Sequence, residues 1–301
     1  MRFVTFSKDG FTRAGVLSGD ASNDTDCIFD LSDSSMRSAL GGVEPQMSDF
    51  VQFGLVLLAD SIAKHGLSEA ARLRLSQVSL KAPIPCPRRI IGVAHNYRDA
   101  IHERGIDLPS NPVLFSKNPE TVIGPNAPVV LPVGVGGVTY EAELAVVIGK
   151  AGHNIKVVDA LSHVAAVTAI NDVSASELIR RDGYFDRGKN FPTFAPFGPY
   201  LATMDEFLDL QKLAIRFEMD GIVLQDSNTS QMLFSVVDLI SILSQSESLE
   251  VGDVIATGTP AGVAAVRDPP TWLRNGSCMS VSVEGLGKLT NPIVDGDSFD
   301  A

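Results

Sequence analysis

The chain has little of what would mark a secreted, membrane-spanning or nucleic-acid-binding protein. Its three cysteines, Cys27, Cys86 and Cys278, are odd in number and far apart. They match neither a disulfide framework nor a zinc site, so reduced thiols in an intracellular protein are expected. Basic clusters are missing too. The net charge is −12, and Lys and Arg go no further than pairs such as Arg88-Arg89 and Arg180-Arg181. That excludes the basic footprint of a nucleic-acid binder. The N-terminus lacks the long apolar core of a signal peptide, and no run reaches the ~18 apolar residues that span a bilayer. A cytoplasmic protein without a membrane anchor is the expectation. There is no internal repeat, low-complexity tract or heptad run.

What is present is glycine, proline and many short apolar runs. With 301 residues, 26 Gly, 17 Pro and 45% hydrophobic residues, one large domain or two unequal ones built from strands and turns is expected. Residues 1–80 read as a smaller unit. It has strands at Phe3–Phe6 and Ala14–Leu17, then a helical spacing through Leu55, Leu58, Ile62 and His65. Pro83, Pro85 and Pro87 form a stiff connection into the remainder. Alternation at Leu213, Ile215, Phe217 and Met219, followed by Asp220-Gly221, predicts a hairpin. Met232, Leu233, Val236, Leu239, Ile240 and Leu243 predict an amphipathic helix.

The most informative local feature is a pair of glutamates, Glu141 and Glu143, at the mouth of the apolar run Leu144–Ile148. On a strand, residues two apart share a face. Burying two like charges together is costly unless a cation neutralises them. With Asp172 from Asn171-Asp172-Val-Ser174, these hard oxygen donors suit Mg²⁺ or Mn²⁺ better than zinc. The spacing alone leaves open a solvent-facing strand edge that carries two charges. An acidic protein that handles an anionic substrate must also supply positive charge locally, through a metal or a few fixed Lys or Arg residues.

Eight segments in order place residues 90–294 close to a known family. They are Gly92–Tyr97, Pro112–Lys117, Tyr140–Gly149, Asn171–Ser174, Arg187–Phe191, Phe197–Pro199, Gly252–Val263 and the closing Gly285–Leu289. In these segments the chain resembles the fumarylacetoacetate hydrolase family. The resemblance implies an α+β, mostly β architecture: a mixed β-sandwich roll over residues 88–294, with the small α/β unit of residues 1–80 before it and a tail at 295–301. It also implies a homodimer. Glu141, Glu143 and Asp172 match the family's Mg²⁺ or Mn²⁺ ligands, Lys189 its active-site lysine, and Thr259 a substrate-contacting position. Tyr97 and Arg98, at the head of a short lid helix, are further candidate substrate contacts. The implied substrates are small anionic 2-oxo or β-diketo acids, whose enolate a chelated divalent ion would stabilise.

The lid departs from the family pattern. Family hydrolases carry Asn-Tyr-x-x-His-x-x-Glu, whose His and Glu activate water. Here Glu103 fills the glutamate position, but Ala100 stands at the histidine position. His102 lies two residues on, about 200° round a helix; His95 precedes the helix and is the nearer replacement. Pro192 is a second departure, standing where many members have Asp. C–C hydrolysis of an acylpyruvate or fumarylpyruvate type is the first expectation, with Glu103, His95 and Lys189 as catalytic residues. Oxaloacetate-type decarboxylation, tautomerisation or isomerisation, which need no activated water, is the alternative. A catalytically inactive metal- or ligand-binding member is the third reading.

Overall fold

The computed structural model describes residues 1–23, 25–40, 47, 50, 51 and 54–298. In chain order its strands begin with β1 (Arg2–Lys8), β2 (Phe11–Ser18), β3 (Cys27–Asp30), β4 (Arg72–Arg74), β5 (Ser79–Lys81), β6 (Arg89–Ala94), β7 (Val113–Lys117), β8 (Val122–Ile123), β9 (Val129–Val133) and β10 (Val138–Thr139). They continue with β11 (Ala142–Ile148), β12 (Val164–Asn171), β13 (Ser174–Ala175), β14 (Ala195–Ala202), β15 (Ala214–Met219), β16 (Ile222–Asn228), β17 (Asp253–Ala256), β18 (Cys278–Val283) and β19 (Lys288–Ser298). The helices are short: α1 (Arg37–Leu40), α2 (Leu55–His65), α3 (Arg98–Arg104), α4 (Ser176–Asp182), α5 (Asp186–Lys189) and α6 (Val236–Ser246). The expectation of a mostly β chain with a few helices holds.

The main sheet runs β4-β3-β2-β1-β14-β12-β11-β17-β6-β7, and a second sheet runs β16-β15-β18-β19-β9. The N-terminal strands and the larger unit share the main sheet, through Arg2↔Ala202 and Phe3↔Leu201 of β1 and β14. At its centre, β11 and β12 are buried at every position. Their apolar runs, Leu144–Ile148 and Val164–Ile170 with Thr168 as the single hydroxyl, are what a strand covered on both faces requires. Both faces of the sheet are packed. Leu144, Val146 and Ile148 belong to one apolar cluster, and Ala145 and Val147 to another.

Three local readings can be checked in detail. The 214–228 hairpin forms, with Asp220 and Gly221 at φ 53° and 79°, the left-handed pair its turn demands. On α2, Leu55, Leu58 and Ile62 are buried, but His65 is exposed at the helix end. The amphipathic helix starts later than its periodicity suggests. Ser235 caps it by accepting from Asp238 N–H, so Met232 and Leu233 lie before α6.

Candidate active site

The carboxylates gather where β11 and β12 open out. Ala142 pairs with Asn171. One step further, Asp172 N–H donates to the Glu141 carbonyl at 2.9 Å, and Glu141 N–H donates to Asn171 Oδ1 at 2.9 Å. This extension of the ladder sets Asp172 beside Glu141, with Glu143 two residues along the same strand. One oxygen from each of the three lies within 4.8 Å of the others. Glu143 and Asp172 are buried and Glu141 nearly so. The structure therefore brings the three expected donors together, and the alternative of a solvent-facing edge is removed.

Two lysines face them. Lys189, on α5, donates to Glu141 Oε2 at 2.7 Å and to Asp172 Oδ2, with its ammonium 4.6 Å from the centre of the Phe115 ring. Gly188 allows α5 to approach so closely, because a Cβ there would meet the Ile179 side chain at 2.3 Å. Lys117, at the end of β7, lies 2.7 Å from Asp172 Oδ1 and donates to the carbonyls of Val173 and Lys189 at 3.1 and 2.6 Å.

Burial opposes charge on every one of these groups. For Glu143, burial and the neighbouring Asp172 and Glu141 push the carboxyl well above its ordinary value. Burial also raises Glu141, against the pull of Lys189. On Asp172 the two lysines outweigh burial and hold the carboxyl low. On Lys189 the carboxylates outweigh burial, so its pKa rises and it stays an ammonium. Lys117 is lowered by burial more than Asp172 restores.

Three carboxyl groups and two ammonium groups share a buried site, and the charge of Arg104 on the adjoining wall also favours the Glu141 carboxylate. Asp172 Oδ1 accepts no aligned hydrogen bond among the described residues, although Lys117 is near. Three converging hard oxygen donors, two of them carboxyls that burial pushes up and that a cation would hold ionised, fit a small divalent cation of the Mg²⁺ or Mn²⁺ type.

A narrow cavity of about 30 Å³ adjoins this cluster. Its walls include His95, Ala100, Arg104, Glu141, Glu143, Lys189 and Thr259. A space of that size is enough to hold a water molecule. His95 carries a left-handed backbone, φ 56°, an uncommon state for a residue with a side chain. Its Nδ1 lies 3.0 Å from Arg104 Nη1. A guanidinium can only donate, so Nδ1 accepts and Nε2 carries the imidazole hydrogen. Burial, then the charges of Arg104 and Lys189, lower the His95 pKa and favour the neutral ring. Gly258, at φ +96°, donates its N–H to Glu143 Oε2 at 2.8 Å. A Cβ at Gly258 would meet the Val93 carbonyl oxygen at 2.8 Å.

The remaining expected site residues divide. Thr259 lines the cavity, but its hydroxyl donates to the Ala142 carbonyl at 2.9 Å and receives Gln225 Nε2 at 2.9 Å. Tyr97 is fully buried behind the lid. Burial and the nearby Glu143 and Asp99 raise its pKa, and its hydroxyl lacks a hydrogen-bond partner among the described residues. Arg98 is exposed and is not a cavity wall, because it sits about 160° round α3 from Ala100. His102 is likewise exposed and outside the cavity wall. Glu103 is also off the cavity wall, its Oε2 accepting Gly262 N–H at 2.8 Å.

Sequence reasoning gave no role to Lys117, Arg104, Asn96 or Gln225. Asn96 is buried, donates to the carbonyls of Phe234 and Thr257, and accepts Phe234 N–H. Gln225 joins Ala142 N–H to Thr259. Arg104 had a usable signal. It lies one helical turn after Ala100, on the lid face expected to hold the dyad.

Comparisons with known proteins find likenesses in sequence and in fold. A family model described as fumarylacetoacetate (FAA) hydrolase, C-terminal, matches residues 89–294. The human mitochondrial oxaloacetate tautomerase FAHD2B is 41% identical over 251 residues, 82% of this chain and 79% of the relative. An oxaloacetate tautomerase of Bacillus subtilis is 40% identical over 223 residues, 73% of this chain and 74% of the relative. Among solved structures, a fumarylacetoacetate hydrolase from Exiguobacterium antarcticum superposes with a TM-score of 0.81 at 32% identity, covering 98% of this chain and all of that one. A 5-carboxymethyl-2-hydroxymuconate delta-isomerase from Mycobacterium smegmatis gives 0.76 at 30% identity, covering 98% and 99%.

Proposed function

This chain belongs to the fumarylacetoacetate hydrolase family of enzymes, and from that premise we propose that it catalyses keto–enol tautomerisation of a small 2-oxo diacid of the oxaloacetate type. The observation that carries this reading is the absence of a water-activating base from the cavity wall. Ala100 occupies the lid position of the family's histidine, and the acceptor nitrogen of His95 is taken by Arg104. Tautomerisation needs no water as nucleophile. The relatives named as oxaloacetate tautomerases support the same choice.

Glu141, Glu143 and Asp172 would hold the divalent ion, which acts as a Lewis acid toward the 2-oxo carboxylate. The chain's own groups then have distinct tasks. In the enol-to-keto direction the O2 proton leaves and C3 gains one. Negative charge concentrates on O2 between these events. Lys189, held as an ammonium by Glu141 and Asp172, stabilises that charge without exchanging a proton. His95, with hydrogen on Nε2, serves as a neutral donor rather than as a base. Glu103 is exposed and off the cavity wall, one oxygen fixed by Gly262 N–H; as the proposed proton carrier it exchanges with solvent and needs a shift of α3 to reach the substrate. Closure of α3 keeps water away from the site.

C–C hydrolysis, the first expectation from sequence, becomes the second reading. It requires His95 to release Arg104 and present a free nitrogen to water. The two readings separate by product. Protein loaded with Mg²⁺ should accelerate loss of the oxaloacetate enol absorbance without releasing CO₂, and should leave acylpyruvates uncleaved. Stoichiometric cleavage of an acylpyruvate at a faster rate would return the hydrolase to first place. Release of CO₂ and pyruvate would favour a decarboxylase.

A further inference from the structure

We infer that Arg104 is the specificity-determining residue that receives the distal carboxylate of the substrate, so that this site selects 2-oxo diacids over 2-oxo monoacids. The inference rests on the oxo-acid reading above and extends it. Arg104 sits one helical turn after Ala100 on α3, and both line the cavity opposite the carboxylate cluster. It is partly buried, yet it forms no ion pair with any carboxylate among the described residues. Its one hydrogen bond, from Nη1 to His95 Nδ1 at 3.0 Å, leaves Nε and Nη2 without a partner there.

A partly exposed guanidinium on a cavity wall with two of its nitrogens unpaired offers both to an anion. The other cation in the wall, Lys189, is already committed to Glu141 and Asp172. Among the described residues Arg104 is therefore the cation of this cavity without an ion pair, although its charge also favours the Glu141 carboxylate at longer range, and its planar fork matches an incoming carboxylate. A short diacid whose 2-oxo acid end lies toward the carboxylate cluster would extend its other carboxylate toward α3. The small Ala100 leaves room beside Arg104 that a bulkier side chain would fill.

The test compares oxaloacetate with its 4-methyl ester, which undergoes the same tautomerisation but lacks the distal charge. Wild type should prefer the diacid. Arg104→Gln should raise KM for oxaloacetate by about 10- to 100-fold, as expected for losing a charge-assisted pair, with kcat changed less; loosening His95 touches both compounds alike, so the ester should lose distinctly less than the diacid. Arg104→Lys should recover part of the preference. Equal losses on both compounds would overturn the assignment and leave Arg104 as a positioning residue for His95. Malate and lactate, binding with Mg²⁺ in a calorimeter, give an arm that does not need turnover. Preference for malate in wild type, erased in Arg104→Gln, supports the assignment even if no oxaloacetate is turned over, a result that would sink only the tautomerase reading. No preference for malate in wild type would overturn the assignment.

Discussion

Lys117→Met probes whether the buried charge cluster is built as described. The Lys117 ammonium is fully buried, 2.7 Å from Asp172 Oδ1, and donates to two carbonyls at 2.6 and 3.1 Å. Methionine has similar volume and can fill the space, so a cavity contributes little. The cost is electrostatic. Removing one partner of a buried ion pair costs about 3–5 kcal/mol, and Lys189, still paired with Asp172 Oδ2, keeps the loss at the low end of that range. The two stranded carbonyls act in the same direction, and relief from burying the ammonium, which lowers the Lys117 pKa, acts against it. A net loss of about 3 kcal/mol follows, or roughly 6–12 °C in Tm at ~2–4 °C per kcal/mol. Scanning calorimetry of the chelator-treated variant against wild type measures it. Adding Mg²⁺ should close part of the gap, because an ion binding the folded state stabilises it by mass action. A metal-free variant within about 1 kcal/mol of wild type would refute the reasoning.

Three further outcomes are expected. Glu143→Gln keeps an acceptor for Gly258 N–H and removes a like charge beside Asp172 and Glu141. The metal-free protein should hold its stability or gain about 1 kcal/mol, while thermal stabilisation by Mg²⁺ disappears; retained Mg²⁺ stabilisation would remove Glu143 from the ligand set. Ala100→His restores the family's histidine. It should raise acylpyruvate cleavage by about 10²-fold or more, measured by product chromatography, and an unchanged rate would mean that something else blocks water activation. His95 has a folded pKa depressed below its ordinary 6.5. As pH falls through 6.5 the unfolded chain takes up a proton that the folded ring refuses, so this contribution to stability is present above 6.5 and lost below it. Denaturant titrations of His95→Asn should show a shallower decline than wild type below pH 6.5, and parallel curves would show that the ring is not held neutral.

The parts of the site that were legible are those written in short-range pattern. Glu141 and Glu143 are two apart before an apolar run, and period two alone put them on one face. Asp172 joined them as a third oxygen donor, supported by the family resemblance, while the ladder that sets it beside Glu141 came only with the structure. Asp220-Gly221 announced its hairpin, and the apolar spacing announced α2 and α6. The unread parts depend on distant packing. Lys117 reaches Asp172 and the Lys189 carbonyl only because β7 runs beside the 172–190 segment. Gln225 is buried against Ala142 N–H across 83 residues. Arg98 and Arg104 are both cations on one short helix, and sequence singled out the former. The rotation of α3 decides between them, and that rotation is fixed by burial of Ala100 and Ile101.

The central claim is that the chain moves a proton between oxygen and C3 of a 2-oxo diacid without breaking its carbon skeleton. The most direct test follows oxaloacetate in D₂O by NMR with Mg²⁺ present, comparing wild type with Glu143→Gln. The account predicts fast deuterium entry at C3 with wild type, all four carbons retained, and only the uncatalysed rate with the variant. Deuterium entry at the uncatalysed rate in both, or wild-type conversion to pyruvate ahead of exchange, would contradict it.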